Sequence, residues 1–230
     1  MLRKFLCAAA LAALALAGQS FATQAGNAAP SATAMLFEVP HLANVSKGTT
    51  LAYQFERQVS DPKLLGEPFK DGINVDVVND GDDGTKTVVV KVFTGERGRR
   101  PQNIQGMTGN PVLVVFLDRA VNNLAILSGG SRPFLKQKLK MSFVNGAKVE
   151  PVEIAFKGAS IKGKRIEVKP YAGDPNALKM MGYDGATFDI VVSDEIPGHF
   201  VALASHYASP MKDSPNLDET IKLEGVGEIK

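Results

Sequence analysis

Residues 110–144 read NPVLVVFLDRAVNNLAILSGGSRPFLKQKLKMSFV. This stretch decides the fold, because it alone carries helix signals in a chain that otherwise reads as short strands and turns. Asn110 is suited to cap a helix and Pro111 to its first turn. Val112, Val115, Phe116 and Leu117, then Val121, Leu124 and Leu127, recur near helical spacing. The opening VLVVF is equally compatible with a strand, since periodicity does not arbitrate so short a run. Residues 118–127 are more securely helical, and Ser128-Gly129-Gly130 is a stop. Ser131 is placed to cap a second helix with Pro133 early in it. Phe134, Leu135, Leu139 and Phe143 share one side of that helix, while Lys136, Lys138 and Lys140 point mostly elsewhere. The spacing favours a core helix with a solvated lysine face over a helix lying on a membrane surface.

Moving outward toward the N-terminus, the periodicity changes to two. Residues 49–60 (TTLAYQFERQVS) alternate Leu51, Tyr53 and Phe55 with Ala52, Gln54 and Glu56, the pattern of a half-buried strand. Asp61-Pro62 ends it, and residues 66–72 are a connection. Residues 73–78 (INVDVV) and 85–94 (TKTVVVKVFT) form the clearest hairpin, around a turn of Asn, Asp and Gly that tolerate positive φ. The closely spaced carboxylates of that turn lack the EF-hand spacing and its distal bidentate Glu, so a plain turn is expected rather than a calcium loop. Residues 95–109 read as a loop. Its cluster of Arg97, Arg99 and Arg100 has the chemistry to grip phosphate or carboxylate, but a solvated loop is the simpler reading.

On the C-terminal side, residues 147–156 (AKVEPVEIAF) are a strand whose Pro151 marks an edge or a bulge. A turn within 157–163, a strand over 164–170 and a loop or single helical turn over 172–182 follow. Residues 186–192 and 199–207 are strands joined by the turn Ser193-Asp194-Glu195-Ile196-Pro197-Gly198. Residues 220–229 are the candidate closing strand. With no internal repeat and no dividing linker, residues 45–230 are expected as a single β-rich domain.

The first residues bear on compartment. Arg3 and Lys4 precede an apolar run over residues 5–18, and Ser20-Phe21-Ala22 supplies small residues at a cleavage site. This is the pattern of a secretory signal peptide, residues 1–22, cleaved after Ala22. The run is too short to cross a bilayer of ~30 Å, which needs roughly 20 residues. Residues 23–44 read as a flexible lead-in, with residues 35–39 a short strand or tether. The single cysteine, Cys7, lies in the apolar run, so the mature chain has no disulfide, catalytic thiol or cysteine metal site. The full chain carries 26 basic and 24 acidic residues. Loss of Arg3 and Lys4 brings the two into balance, which removes any general attraction to nucleic acid. No second long apolar run exists, so no integral membrane segment is expected after cleavage.

Catalytic signatures are missing. The histidines are His41, His199 and His206; His199 and His206 lie seven apart on one strand and face opposite ways, and with no cysteine, His-x-Glu or HExxH motif no metal site is expected. Adjacent Ser205 and His206 point apart in a strand, and no GxSxG elbow, GxGxxG or Walker loop occurs. The carboxylate pairs Asp82-Asp83 and Asp194-Glu195 fall in turns, where they are solvated. The residues therefore argue against an enzyme and imply no cofactor.

The order of strand block, helical segment and strand block is that of an α+β protein. A curved, half-barrel-like antiparallel sheet carries one or two central helices on its concave face. With its Tyr-containing opening strand, central helices and strand–Ser-Asp-x-x-Pro-Gly–strand turn, the chain resembles periplasmic half-barrel proteins. The outer-membrane lipoprotein carriers and related lipid binders are the best known of these. The resemblance implies a soluble periplasmic protein of Gram-negative type that binds a lipid or acyl chain in the hollow of the sheet. The candidate lining is Tyr53, Phe55, Phe93, Phe116, Phe134, Phe188 and Phe200, each of which also serves as ordinary core. Two alternatives remain open. An envelope interaction or assembly protein would show a filled hollow and an exposed apolar patch elsewhere. An enzyme with a dispersed site would leave no motif.

Overall fold

The computed structural model describes residues 30–229. The signal peptide expected over residues 1–22 and the first part of the lead-in, residues 23–29, lie outside the described residues.

Nine strands form one antiparallel sheet. They are β1 (Thr49–Val59), β2 (Phe69–Asp80), β3 (Lys86–Val92), β4 (Gln102–Met107), β5 (Lys148–Phe156), β6 (Ala159–Val168), β7 (Thr187–Val192), β8 (Phe200–Tyr207) and β9 (Leu217–Glu228). Their order is β4-β3-β2-β1-β9-β8-β7-β6-β5. Two meanders are thus joined along β1 and β9, the first and last strands of the sheet, and the curved sheet stays open with β4 and β5 as its edges. The chain must pass from one edge to the other between β4 and β5. Two helices make that passage across the concave face: α2 (Val112–Ser128) and α3 (Arg132–Asn145). A single turn, α1 (Pro62–Leu65), caps the β1–β2 connection, with Asp61 accepting from the amides of Lys63 and Leu64.

The VLVVF ambiguity resolves as helix. A strand would put Val112, Val114 and Phe116 on one face, yet Val112 and Phe116 are buried while Val114 is 64% exposed. Leu113, Phe116, Ala120, Leu124 and Leu127 form the stripe of α2 that meets the sheet. Facing them are Leu51, Tyr53 and Phe55 of β1, Phe188 and Ile190 of β7, Leu203 and Tyr207 of β8, and Ile221 of β9, all buried. Phe116 stands edge-on to Phe188 at 6.4 Å, and Tyr207 Oη donates to the Ala120 carbonyl at 3.2 Å. Gly129, in the left-handed region at φ 68, ends α2 by donating to the Ala125 carbonyl.

A buried ion network pins α2 to the seam of the sheet. Arg57 of β1 stands opposite Glu219 of β9 and pairs with it, and Arg119 of α2 reaches the same carboxylate. The Arg119 guanidinium also lies over the rings of Phe55, at 4.5 Å, and Phe93, at 5.2 Å. α3 has lighter ties: Tyr171 Oη to the Leu135 carbonyl at 3.0 Å, Lys138 Nζ to Asp174 at 2.5 Å, and Thr33 Oγ1 to the Phe143 carbonyl at 3.2 Å.

Several local expectations are corrected. Residues 35–39 are not a strand: Ala34–Glu38 is a π-helical turn that buries Met35 and Leu36. The described part of the expected lead-in, residues 30–44, is docked rather than flexible. Ala32, Met35, Leu36 and Leu42 join the core, and the Leu42 amide donates to the Thr108 carbonyl. Residues 95–109 are not all loop, because they hold edge strand β4. Its exposed polar side chains give no hydrophobic alternation to read. The connection expected over 66–72 is shorter, and the strand expected from residue 164 begins at Ala159. β2 begins at Phe69, and the β5–β6 turn is only Lys157 and Gly158, both at positive φ as such hairpins require. Ser131 precedes α3 without a side-chain capping bond.

Candidate functional site

The seven aromatic residues expected to line a hollow do not meet in one cavity. Phe55 and Phe93 join Phe69 in a cluster with ring separations of 4.8–5.4 Å, sealed by Arg119 on one side and by Arg97 over Phe69 on another. Tyr53 lies elsewhere, its Oη accepting from Asn110 Nδ2 at 2.8 Å, and burial pushes that phenol far above its ordinary range. Phe116 and Phe188 form a third group with Tyr207. Phe200 packs on His41 at 4.7 Å. Phe134 is half-buried on α3 beneath the Lys138 ammonium. Tyr53, Phe55, Phe116, Phe188 and Phe200 are all buried, so the space between α2 and the sheet is filled by packing.

The open apolar space lies on the other side of α2. A groove of about 790 Å³ runs between α2 and α3, closed at one end by the N-terminal π-turn. α2 supplies Val114, Leu117, Asp118, Val121 and Asn122. Their i, i+3, i+4, i+7, i+8 spacing makes a second stripe, distinct from the one that meets the sheet. α3 supplies Leu139 and Phe143 at the floor and Val144 at the end, while Phe37 of the π-turn stands edge-on to Phe143 at 5.8 Å. Val114, Phe37 (47% exposed) and Val144 (55% exposed) leave large apolar surface facing solvent. Contiguous apolar surface of this kind, rimmed by polar residues, is characteristic of ligand-binding grooves. A smaller space of about 430 Å³, also bounded by Phe143 and Val144, continues past the end of α3 toward β5.

Charge on the groove is one-sided. Arg132, Lys136 and Lys140 of α3 line it, and among the described residues none of the three makes an ion pair. Its single carboxylate, Asp118, accepts from Asn122 one helical turn on. Lys138, on the other side of α3, is engaged by Asp174, whose carboxyl that contact holds below the usual range.

Of the groove residues, sequence periodicity had already marked Leu117, Val121, Leu139, Phe143 and the α3 lysines. Phe37, Val114 and Val144 were not singled out. The available signal was the excess of apolar residues on α2, which needs only one stripe to cover a sheet.

Among the described residues, no cluster of three or more His, Cys, Asp or Glu is placed to hold a metal ion, and no helix is long and apolar enough to cross a membrane. In the Asn79–Gly84 turn, Asp83 accepts from Thr85 and Asp80 pairs with Lys86. His206 pairs across the sheet with Asp218, while the His41 and His199 rings stand edge-on at 5.4 Å.

In layout the chain is similar to lipoprotein LppX of Mycobacterium tuberculosis. That likeness has 12% identity, covers 85% of this chain and 98% of that chain, and has a TM-score of 0.30. It is also similar to a LolA-superfamily protein from Nitrosomonas europaea, with 7% identity, 86% and 95% coverage and a TM-score of 0.19. No protein-family model matches the chain, and no curated protein matches it in sequence.

Proposed function

We propose that this is an exported protein that binds an apolar chain, such as the acyl chain of a lipid, in the groove between α2 and α3. The observation that carries the proposal is the second apolar stripe of α2, whose Val114, Leu117 and Val121 face an open groove and not the sheet. Its volume of about 790 Å³ lies within the range of small-molecule pockets, roughly 300–1,000 Å³. The expected occupant is unchanged from the sequence reading, but its seat moves from the hollow of the sheet to the outer face of α2. Export rests on the composition of residues 1–22 and on the lack of cysteine beyond Cys7.

Native mass spectrometry of protein recovered from the periplasm, together with titration of a fluorescent fatty-acid probe, tests this. Binding is expected in the parent and lost in Val114→Asp, which puts a charge on an exposed wall of the groove without touching the core. Neither co-purified lipid nor probe binding in the parent would sink the proposal.

A second reading has its own support. Leu178 (98% exposed), Met181 and Met211 are bare on adjoining loops, and Ser209 Oγ ties these loops by donating to the Met181 carbonyl and accepting from the Met211 amide. This is the exposed apolar patch that an envelope-assembly protein would carry. Periplasmic crosslinking followed by pull-down, comparing the parent with Leu178→Ser/Met181→Ser/Met211→Ser, tests it. A partner captured equally by both proteins would count against the patch.

A further inference from the structure

The groove walls are apolar, but its rim has a sign. Arg132, Lys136 and Lys140 stand at i, i+4 and i+8 on α3 and follow the groove along one line of the helix. At 1.5 Å of rise per residue this line is about 12 Å long. Only Asp118 opposes it, and Asp118 is already engaged by Asn122.

Helix stability does not explain this arrangement. Like charges at i and i+4 repel, at about 0.2–0.5 kcal/mol per pair in isolated helices. Arg132 sits in the first turn, where exposed amides favour anions, and that turn contains no acidic residue. Lys138 shows the contrast, since it lies on the other side of the helix and has Asp174 for a partner. The three groove cations are therefore held, at some cost to the helix, beside an apolar trough with no internal counter-ion among the described residues.

We propose that the groove selects amphiphiles with an anionic head, the chain lying along Val114, Leu117, Val121 and Phe143 and the carboxylate or phosphate meeting Arg132, Lys136 or Lys140. This rests on the reading of the groove as an acyl-chain site and specifies the class of ligand. Arg132 offers a planar fork suited to bidentate contact with either head group, and the two lysines offer point charges further along the same line. One line of cations lets the head bind at different positions as chain length varies, so selection falls on charge and not on one length.

The test compares palmitate, hexadecyl phosphate and hexadecanol below their aggregation limits, on the full mature chain and on Arg132→Gln/Lys136→Gln/Lys140→Gln. These side chains are exposed, so the variant is expected to fold, and its urea midpoint checks that. The parent should bind both anions at least about tenfold more tightly than hexadecanol. The variant should lose that preference while keeping its affinity for hexadecanol. The anion preference should also shrink as salt is raised. The stronger of the two anions identifies the head as carboxylate or phosphate. Equal binding of all three ligands by the parent overturns this inference and leaves the acyl-chain reading standing. Binding of none overturns both. Retention on phosphatidylglycerol vesicles without capture of monomeric palmitate overturns it in favour of a surface that lies on the membrane.

Discussion

Arg57 and Glu219 face each other across the β1–β9 seam, where the two halves of the sheet join, and both are buried. Arg119 reaches the same carboxylate from α2, so one acid holds together the two meanders and the helix that crosses them. Glu219→Gln leaves two guanidinium groups without their counter-charge. It is expected to cost about 3–5 kcal/mol, the usual penalty for removing one partner of a buried pair. The triple replacement Arg57→Met/Glu219→Leu/Arg119→Met should cost less than the single one, because no charge is then left unpaired. Urea unfolding midpoints check both, and a triple variant less stable than Glu219→Gln would refute the account.

His41 makes stability depend on pH in a fixed direction. Its Nε2 lies 2.8 Å from the Met35 carbonyl and its Nδ1 faces the Asn110 amide, an arrangement satisfied by the neutral ring with the proton on Nε2. Burial lowers the pKa of His41 from 6.5, and the nearby His199 acts the same way, against the opposing pull of the Met35 carbonyl and Asp194. The unfolded chain thus takes up the proton first. The contribution is fully present above pH 6.5 and is lost as pH falls below 6.5 toward the lower native value. A urea midpoint that declines through this window, with a smaller decline in His41→Gln, is the expected result. A parent midpoint that rises on acidification would refute it.

Elements that bury one face alternately were legible in the sequence: β1 with Leu51, Tyr53 and Phe55, and the β2–β3 hairpin around its Asn/Asp/Gly turn. The central helices were legible from their caps and stops, and so was the α+β layout. β4 was not, because an edge strand with few buried side chains lacks alternation, and its pairing partner β3 is fixed by tertiary position. The π-turn was not, because the apolar run that includes Met35 and Leu36 fits strand and helix equally until its partners are known. The open groove was not legible for a related reason. Periodicity identifies apolar faces but not their partners, and α2 has two such faces.

Phe116 and Phe134 separate core from surface within the segment that decides the fold. Phe116 is 2% exposed beneath α2, and Phe116→Ala should cost about 3–5 kcal/mol. Phe134 is half-buried and not part of the groove wall, so Phe134→Ala should cost far less and leave probe binding unchanged. Calorimetry with fatty-acid titration of each variant checks the pair. A large loss of binding in Phe134→Ala at unchanged stability would refute the groove as the seat of the ligand.

Gly198 closes the β7–β8 turn and sets where α2 begins. It lies at φ +78, and a Cβ there would run into Leu51 Cδ1 and Asn110 Nδ2. Asn110 is the joint: its Nδ2 donates to the Gly198 carbonyl at 2.9 Å and to Tyr53 Oη, while its Oδ1 accepts from the Val112 amide at the start of α2. Gly198→Ala should therefore cost at least about 1–3 kcal/mol, the usual range for backbone strain. Part of that cost is the contact with Leu51, so Leu51→Val should relieve it. The double variant should lose less stability than the two single losses added together, the coupling expected of residues in contact. Strict additivity in the urea midpoints would show that the turn tolerates the methyl group without pressing on β1.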